Sequence, residues 1–175
     1  MNLKSISLLL LVVSMLLLVA CKEESQTNDL LMAIDKGQSD VVQELLDSGI
    51  DPNIDDGPVG TSIAGAYPLH LAVLKGNKEI VQILLDNGAK IDLRATNKDE
   101  ATPLAWAAFL GQKDVVSLLI EAGAPINAID ANQYTPLDAA GIAWRASQDN
   151  AAWAKNLMEI MTILKANGGK QADEL

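Results

Sequence analysis

The sequence predicts an all-α protein, a solenoid of about four helix-turn-helix units with projecting hairpin loops. A frame of about 33 residues recurs along the chain, and the same spacing joins Thr102 to Gly123 and Tyr67 to Gly88. No alternating strand pattern interrupts this frame. Because one unit of this size cannot bury its apolar face alone, neighbouring units must stack, and the stack presents an extended binding surface.

The third unit shows the register without gaps. Thr102 can cap the free amides of a first helix, and Pro103 suits its first position, where no N–H is needed. Gly111 ends that helix, and Gly123 closes a second helix as a left-handed cap. The second helix carries an apolar stripe at helical spacing, made by Val115, Val116, Leu118 and Leu119.

The other units follow this register with changes at both ends. The first unit lacks a Thr-Pro start, and the fourth is about twelve residues longer than the third. We predict a folded domain over residues 29–169 and a frayed tail over 170–175. The repeats are placed at 28–54, 66–95, 101–130 and 134–168.

The amino terminus has the features of a secretory leader over residues 1–20. Lys4 precedes an apolar run of 13 residues from Ile6 to Leu18, which is shorter than the roughly 20 residues needed to span a bilayer as a helix. The ending Leu18-Val19-Ala20-Cys21 is similar to the lipobox of bacterial lipoproteins, which implies cleavage before Cys21 and acylation of its thiol. The alternative is an ordinary leader cut near an unrelated cysteine.

Residues 21–28 are predicted to form a flexible tether between the lipid and the folded domain, because they are polar and lack aromatic side chains. The resemblance to lipoproteins implies membrane contact through the lipid only. Since Lys22 follows the cysteine in place of an aspartate, the expected location is the outer membrane facing the periplasm. In an organism with one membrane it would be the outer face of the plasma membrane.

The charge balance narrows the class of partner. The chain has 13 Lys and Arg residues against 23 Asp and Glu residues, a formal net charge of −10. This excess of carboxylate repels nucleic acid, and no basic cluster reverses it locally. We therefore expect a protein partner with a basic patch, and a monomeric chain.

The repeated residues resemble the ankyrin repeat, whose pattern is Thr-Pro-Leu-His-x-Ala-Ala, then Gly, then Val-Val-x-Leu-Leu-Leu, then Gly-Ala. The resemblance spans roughly residues 28–168 and implies stacked L-shaped units. It also implies that proteins bind to the concave inner helices and the hairpin tips, without shared catalytic chemistry. The matching segments are Pro68-Leu69-His70-Leu71-Ala72, Gly88-Ala89, Thr102-Pro103-Leu104, Gly123-Ala124 and Thr135-Pro136-Leu137.

The concave positions and loop tips supply the candidate partner-binding residues. Apolar side chains recur at the concave positions of the second, third and fourth units, as expected for a hot-spot strip. The alternative is that the lengthened last repeat folds over some of them. The predicted set is Leu74, Lys75, Lys98, Asp99, Phe109, Leu110, Tyr134 and Ile142.

Two insertions and one polar end depart from the repeat pattern. A Gly- and Pro-rich insertion within residues 51–66 is either an enlarged, partner-contacting fingertip or a tolerated surface loop. The added segment 144–155 either caps the exposed end of the stack or binds a partner. Asp35 and Lys36 take concave positions of the first unit, which fits a polar amino-terminal cap.

Catalytic and metal-binding patterns find no support in the residues. His70 is the only histidine, and the family resemblance gives it a structural role, with its ring hydrogen-bonded to backbone. We predict no enzyme activity, no cofactor and no metal. The leading hypothesis is a lipid-anchored adaptor. The alternatives are an immunity-type neutraliser of a secreted toxin, an accessory factor in periplasmic stress defence, and an enzyme using carboxylates alone.

Overall fold

The structure, a computed structural model, describes residues 29–54, 65–147 and 149–175. Within these ranges it contains eight α-helices and no strand, which confirms the predicted all-α repeat fold. None of these helices is long and apolar enough to cross a membrane. The helices are α1 (29–35), α2 (Ser39–Asp47), α3 (Pro68–Lys75), α4 (Lys78–Asp86), α5 (Pro103–Leu110), α6 (Lys113–Glu121), α7 (Pro136–Ala146) and α8 (Ala151–Ala166), followed by a 3-10 helix at Ala172–Glu174.

Several sequence expectations lie outside the described residues. These are the leader at 1–20, the lipidation site Cys21 with its tether, and most of the insertion, at residues 55–64.

The helix ends form where the sequence places its caps and glycines. The Thr102 hydroxyl accepts a hydrogen bond from the Ala105 amide at 3.3 Å, and Gly111, whose φ of 76° is left-handed, caps the end of α5. At α7 the hydroxyl of Thr135 and the carboxylate of Asp138 form a reciprocal capping box. These local interactions set where α5 begins and ends and where α7 begins.

The core is continuous along the stack. The inner helices α3, α5 and α7 contact one another in order, and the outer helices α2, α4, α6 and α8 do the same behind them. One leucine per repeat occupies the same register position and is at most 3% exposed. Burial of each such side chain contributes roughly 1.5–3 kcal/mol. These leucines are Leu30, Leu69, Leu104 and Leu137.

The fourth repeat is lengthened in both helices, as its spacing predicts. Helix α7 has 11 residues and α8 has 16, compared with 8 in α5 and 9 in α6. The added first turn of α8 reaches back to the third repeat, where the Trp153 indole N–H donates to the Leu110 carbonyl at 3.3 Å. Lys113 and Glu159 add an ion pair at 2.8 Å between the same two repeats.

The chain terminus is docked where a frayed tail was expected. The Asn127 side chain donates to the Gly168 carbonyl at 3.0 Å and accepts from the Lys170 amide at 2.8 Å. Asn53 makes the same pair of bonds with Gly88 and Lys90 between the first and second repeats. The tail therefore continues the repeat register as the start of a further loop. Its anchor lies 43 positions away in the sequence, so local composition does not reveal it.

Candidate binding surface

A groove runs across the inner helices on the concave side of the stack. Leu74, Phe109 and Ile142 occupy equivalent positions on α3, α5 and α7, and Trp106 lies one helical turn before Phe109. Together with neighbouring side chains they enclose about 410 Å³. The small residues Ala101, Ala105 and Ala139 complete the lining and leave the larger side chains accessible.

The groove exposes aromatic side chains to solvent. Phe109 and Tyr134 are each 44% exposed, although burying such rings would be strongly favourable. Large apolar side chains gathered on one exposed surface are typical of a binding site. The extension of the last repeat leaves them uncovered, because Trp153 packs against Leu110 and Gly111 at the end of α5.

The loops between repeats build an acidic edge on this groove. The Ala131 amide donates to the Asp99 carbonyl at 2.9 Å, and the Asn132 side chain donates to the Asp99 carboxylate at 3.0 Å. The Asp130 carboxylate accepts from the Asn132 and Tyr134 amides, both at 2.8 Å. These bonds hold Asp99 and Asp130 beside the aromatic rings.

The loop carrying Asp99 makes its turn without glycine. The Asn97 side chain accepts from the Asp99 and Glu100 amides at 3.1 and 3.2 Å, and Glu100 adopts a left-handed φ of 48°. Arg94 ties adjacent loops together by donating to the carbonyls of Glu100 and Ile129 at 3.2 and 2.6 Å. Hydrogen bonds within and between these loops therefore hold the acidic edge in place.

The structure gathers six of the eight predicted residues around one groove: Leu74, Asp99, Phe109, Leu110, Tyr134 and Ile142. Lys75 lies apart, paired with Asp35 at 2.6 Å across the first two inner helices. Lys98 is an exposed loop residue that does not line the groove. A role for all eight in binding stays a prediction.

Trp106 and Asp130 line the groove and were missing from the predicted set. The signal for Trp106 is its spacing of three positions from Phe109, which places both on one helix face. Asp130 could be found by its loop, since it starts the turn that leads to Tyr134.

His70 supports the wall of the groove from behind. Its ring is fully buried, with Nε2 3.0 Å from the Ala101 carbonyl and an edge-on contact to Trp106 at 5.0 Å. Burial lowers the pKa of His70 to about 4, against the opposing effect of its bond to Ala101. The ring is thus neutral near pH 7, so it can hold two groove-lining residues in place. In the described part of the chain, no three His, Cys, Asp or Glu side chains gather into a metal site.

The stacked helix pairs and their open groove define a repeat protein of the interaction-module class. A family model described as Ankyrin repeats (3 copies) matches residues 30–130 and 69–158. The chain belongs to the ankyrin-repeat family, whose members are protein–protein interaction modules and generally non-catalytic scaffolds. No curated protein matches the chain.

Proposed function

We propose that this protein is a lipid-anchored, non-catalytic ankyrin adaptor of the bacterial cell envelope, and that its groove holds a segment of a partner protein that is both apolar and basic. One observation carries the proposal. Exposed Phe109 and Tyr134 lie in the same groove as Asp99 and Asp130.

The apolar part of the partner would supply most of the affinity. Aromatic side chains that lie in a groove and become fully desolvated are the usual hot spots of protein interfaces. Phe109 is central in this respect, because Leu74 and Ile142 flank it on the neighbouring inner helices. A partner side chain that covers Phe109 would complete a row of apolar contacts across three repeats.

The basic part of the partner would set orientation and approach. Asp99 and Asp130 retain acceptor capacity beyond the loop bonds they make, and Tyr134 lies beside them. An Arg or Lys side chain there could pair with a carboxylate and stack on an aromatic face. The net charge of −10 would also accelerate encounter with a basic partner at low salt.

The leader supports the anchoring part of the proposal. Acyl chains on Cys21 would each contribute about 0.8 kcal/mol per buried methylene, which makes the lipid the dominant membrane contact. Processing at Leu18-Val19-Ala20-Cys21 with Lys22 following favours the outer membrane. Replacing Cys21 by serine should abolish incorporation of an alkyne-labelled fatty acid and release the protein from the envelope fraction.

The groove is tested by crosslinking and by matched substitutions in the full chain. A photocrosslinker in place of Tyr134 should trap a partner in intact envelopes, and mass spectrometry should locate the crosslink in an apolar, Lys- or Arg-containing segment. Phe109→Asp should then weaken binding of that partner by at least about tenfold, as expected for a hot spot. The matched control is Leu175→Asp, at an exposed apolar side chain outside the groove.

The outcome also separates the alternative roles. Equal loss of binding in Phe109→Asp and Leu175→Asp would contradict binding of the partner in the groove. An acidic crosslinked segment would contradict the expectation that the partner is basic. A single secreted toxin as partner would indicate a neutraliser, and an oxidant-degrading enzyme would indicate an accessory role in stress defence. Several housekeeping proteins would favour the adaptor.

A further inference from the structure

The amino-terminal end of the stack exposes a stacking position that is buried elsewhere. In each repeat a closing glycine lies two residues after the last residue of the outer helix. Eight positions before it, Ile80 is 0% and Val115 2% exposed, whereas Val41 is 37% exposed. Among the residues that the structure describes, no repeat precedes the first one, whereas the second and third repeats each follow another, so this position faces the preceding repeat. The closing glycines are Gly49, Gly88, Gly123 and Gly168.

The carboxy-terminal end shows the opposite face. Seven positions before the closing glycine, Val42, Val81 and Val116 are fully buried, whereas Met161 is only partly buried. This position therefore faces the following repeat. Beside Met161 a second groove of about 250 Å³ opens where a fifth repeat would stack, and Trp144, Arg145 and Lys165 line it.

The two end faces carry opposite charges at positions that are apolar inside the stack. Five positions before the closing glycine, the second and third repeats carry Ile83 and Leu118, and the first repeat carries Glu44 instead. Three positions before the closing glycine, each of the first three repeats carries an apolar residue, and the fourth repeat carries Lys165 instead. Arg145 adds a second cation to the carboxy-terminal face. The acidic face carries Val41, and the basic face carries Trp144 and Met161.

We infer that a second copy of this chain stacks head to tail, with the face of its first repeat against the groove of the fourth repeat. Such a joint continues the interface that already connects the repeats, and it sets Glu44 of one copy opposite Lys165 and Arg145 of the other. Two carboxy-terminal faces would instead bring like charges together. The joint is heterologous, so it forms a chain of copies unless the rotation closes into a ring. It replaces the monomer expected from the sequence, and it does not depend on the groove on the concave side.

Photocrosslinking in the full chain tests the joint. With p-benzoylphenylalanine in place of Trp144, and separately in place of the exposed Arg145, we expect a covalent dimer in envelopes. Peptide mapping should join the modified position to α2 of a second copy, around Val41 and Glu44. Two positions guard against a variant that fails to fold.

Charge reversal sharpens this test. Glu44→Lys and Lys165→Glu should each lower the crosslink yield several-fold, and the double variant should restore it because the charges are opposite again. The matched control is Asp47→Lys, which makes the same charge change on α2 at a position exposed in every internal repeat. Crosslinks to α7 or α8 of the second copy, crosslinks to a different protein alone, absence of dimers, or no rescue in the double variant would each overturn the inference.

Discussion

His70 in the second repeat and Asp138 in the fourth occupy the same position, directly after the buried leucine that each repeat carries. They nevertheless bind opposite backbone groups of the segment that follows their repeat. The His70 ring meets a backbone carbonyl, that of Ala101, at 3.0 Å. The Asp138 carboxylate accepts from a backbone amide, that of Ala172, at 2.9 Å. The same joint can therefore be made by a buried neutral donor or by a partly exposed anion. The choice sets how each joint responds to mutation and to pH.

Removing the His70 ring should have the largest effect. His70→Ala leaves a cavity and removes one of the two donors to the Ala101 carbonyl, which keeps its bond from the Ala95 amide at 3.0 Å, so we expect a loss of about 3 kcal/mol in the free energy of unfolding, mostly from the cavity. His70→Gln keeps an amide that can donate to the same carbonyl and should lose clearly less. Urea unfolding followed by circular dichroism measures both. Equal losses in the two variants would show that the bond to Ala101 contributes little.

Acid should weaken the His70 joint in a defined window. Burial lowers the folded-state pKa of His70 to about 4, compared with about 6.5 when unfolded. Between these values the unfolded chain binds the proton and the folded chain does not. The contribution of His70 to stability should therefore be full above pH 6.5, fall by about 3 kcal/mol as the pH drops to 4, and change no further below that pH. His70→Gln should show a much flatter profile over this window, measured by urea unfolding at each pH.

Replacing Asp138 should cost less stability than replacing His70. The contribution of its carboxylate should also be lost at a lower pH than that of the His70 ring. Burial alone would raise its pKa, but hydrogen bonds from Thr135, Ala172 and Gln171 outweigh this effect and lower it. Its contribution is present above the ordinary carboxyl pKa and is lost as the pH falls below that value. Asp138→Ala should cost about 2 kcal/mol through the lost helix cap and tail anchor, and Asp138→Asn less. Hydrogen exchange of the Ala172 amide should accelerate in Asp138→Ala. An unchanged exchange rate would contradict the anchoring role.

The smallest effect should come from the asparagine bonds between loops. Asn127→Asp cannot donate to the Gly168 carbonyl, so it should lose about 1 kcal/mol of stability. The contact would then resemble the one between the second and third repeats, where Asp92 is the equivalent residue and Pro125 has no N–H to donate. Asn156→Asp makes the same charge change on the exposed side of α8 and should be neutral in the same urea assay.

The sequence predicts the parts of the fold that depend on local residues. Thr-Pro starts locate the beginnings of α5 and α7, a glycine marks the end of α5, and the shared register places Leu74, Phe109 and Ile142 in one row. What it missed depends on distant contacts. The docked tail needs Asn127 and Asp138, the ion pair of Lys75 needs Asp35, and the acidic edge needs bonds between two loops. Such pairs form only when the repeats stack, because their members lie far apart in the sequence. The local sequence pattern therefore does not predict them.

The three tryptophans of the chain lie in three different settings. Trp106 lines the concave groove, Trp144 lines the groove at the carboxy-terminal end, and Trp153 packs between the third and fourth repeats. Variants that keep one indole each would turn the protein into three separate fluorescent reporters. Emission from the first would follow cargo loading, from the second the joining of copies, and from the third the detachment of the last repeat, each without an added dye.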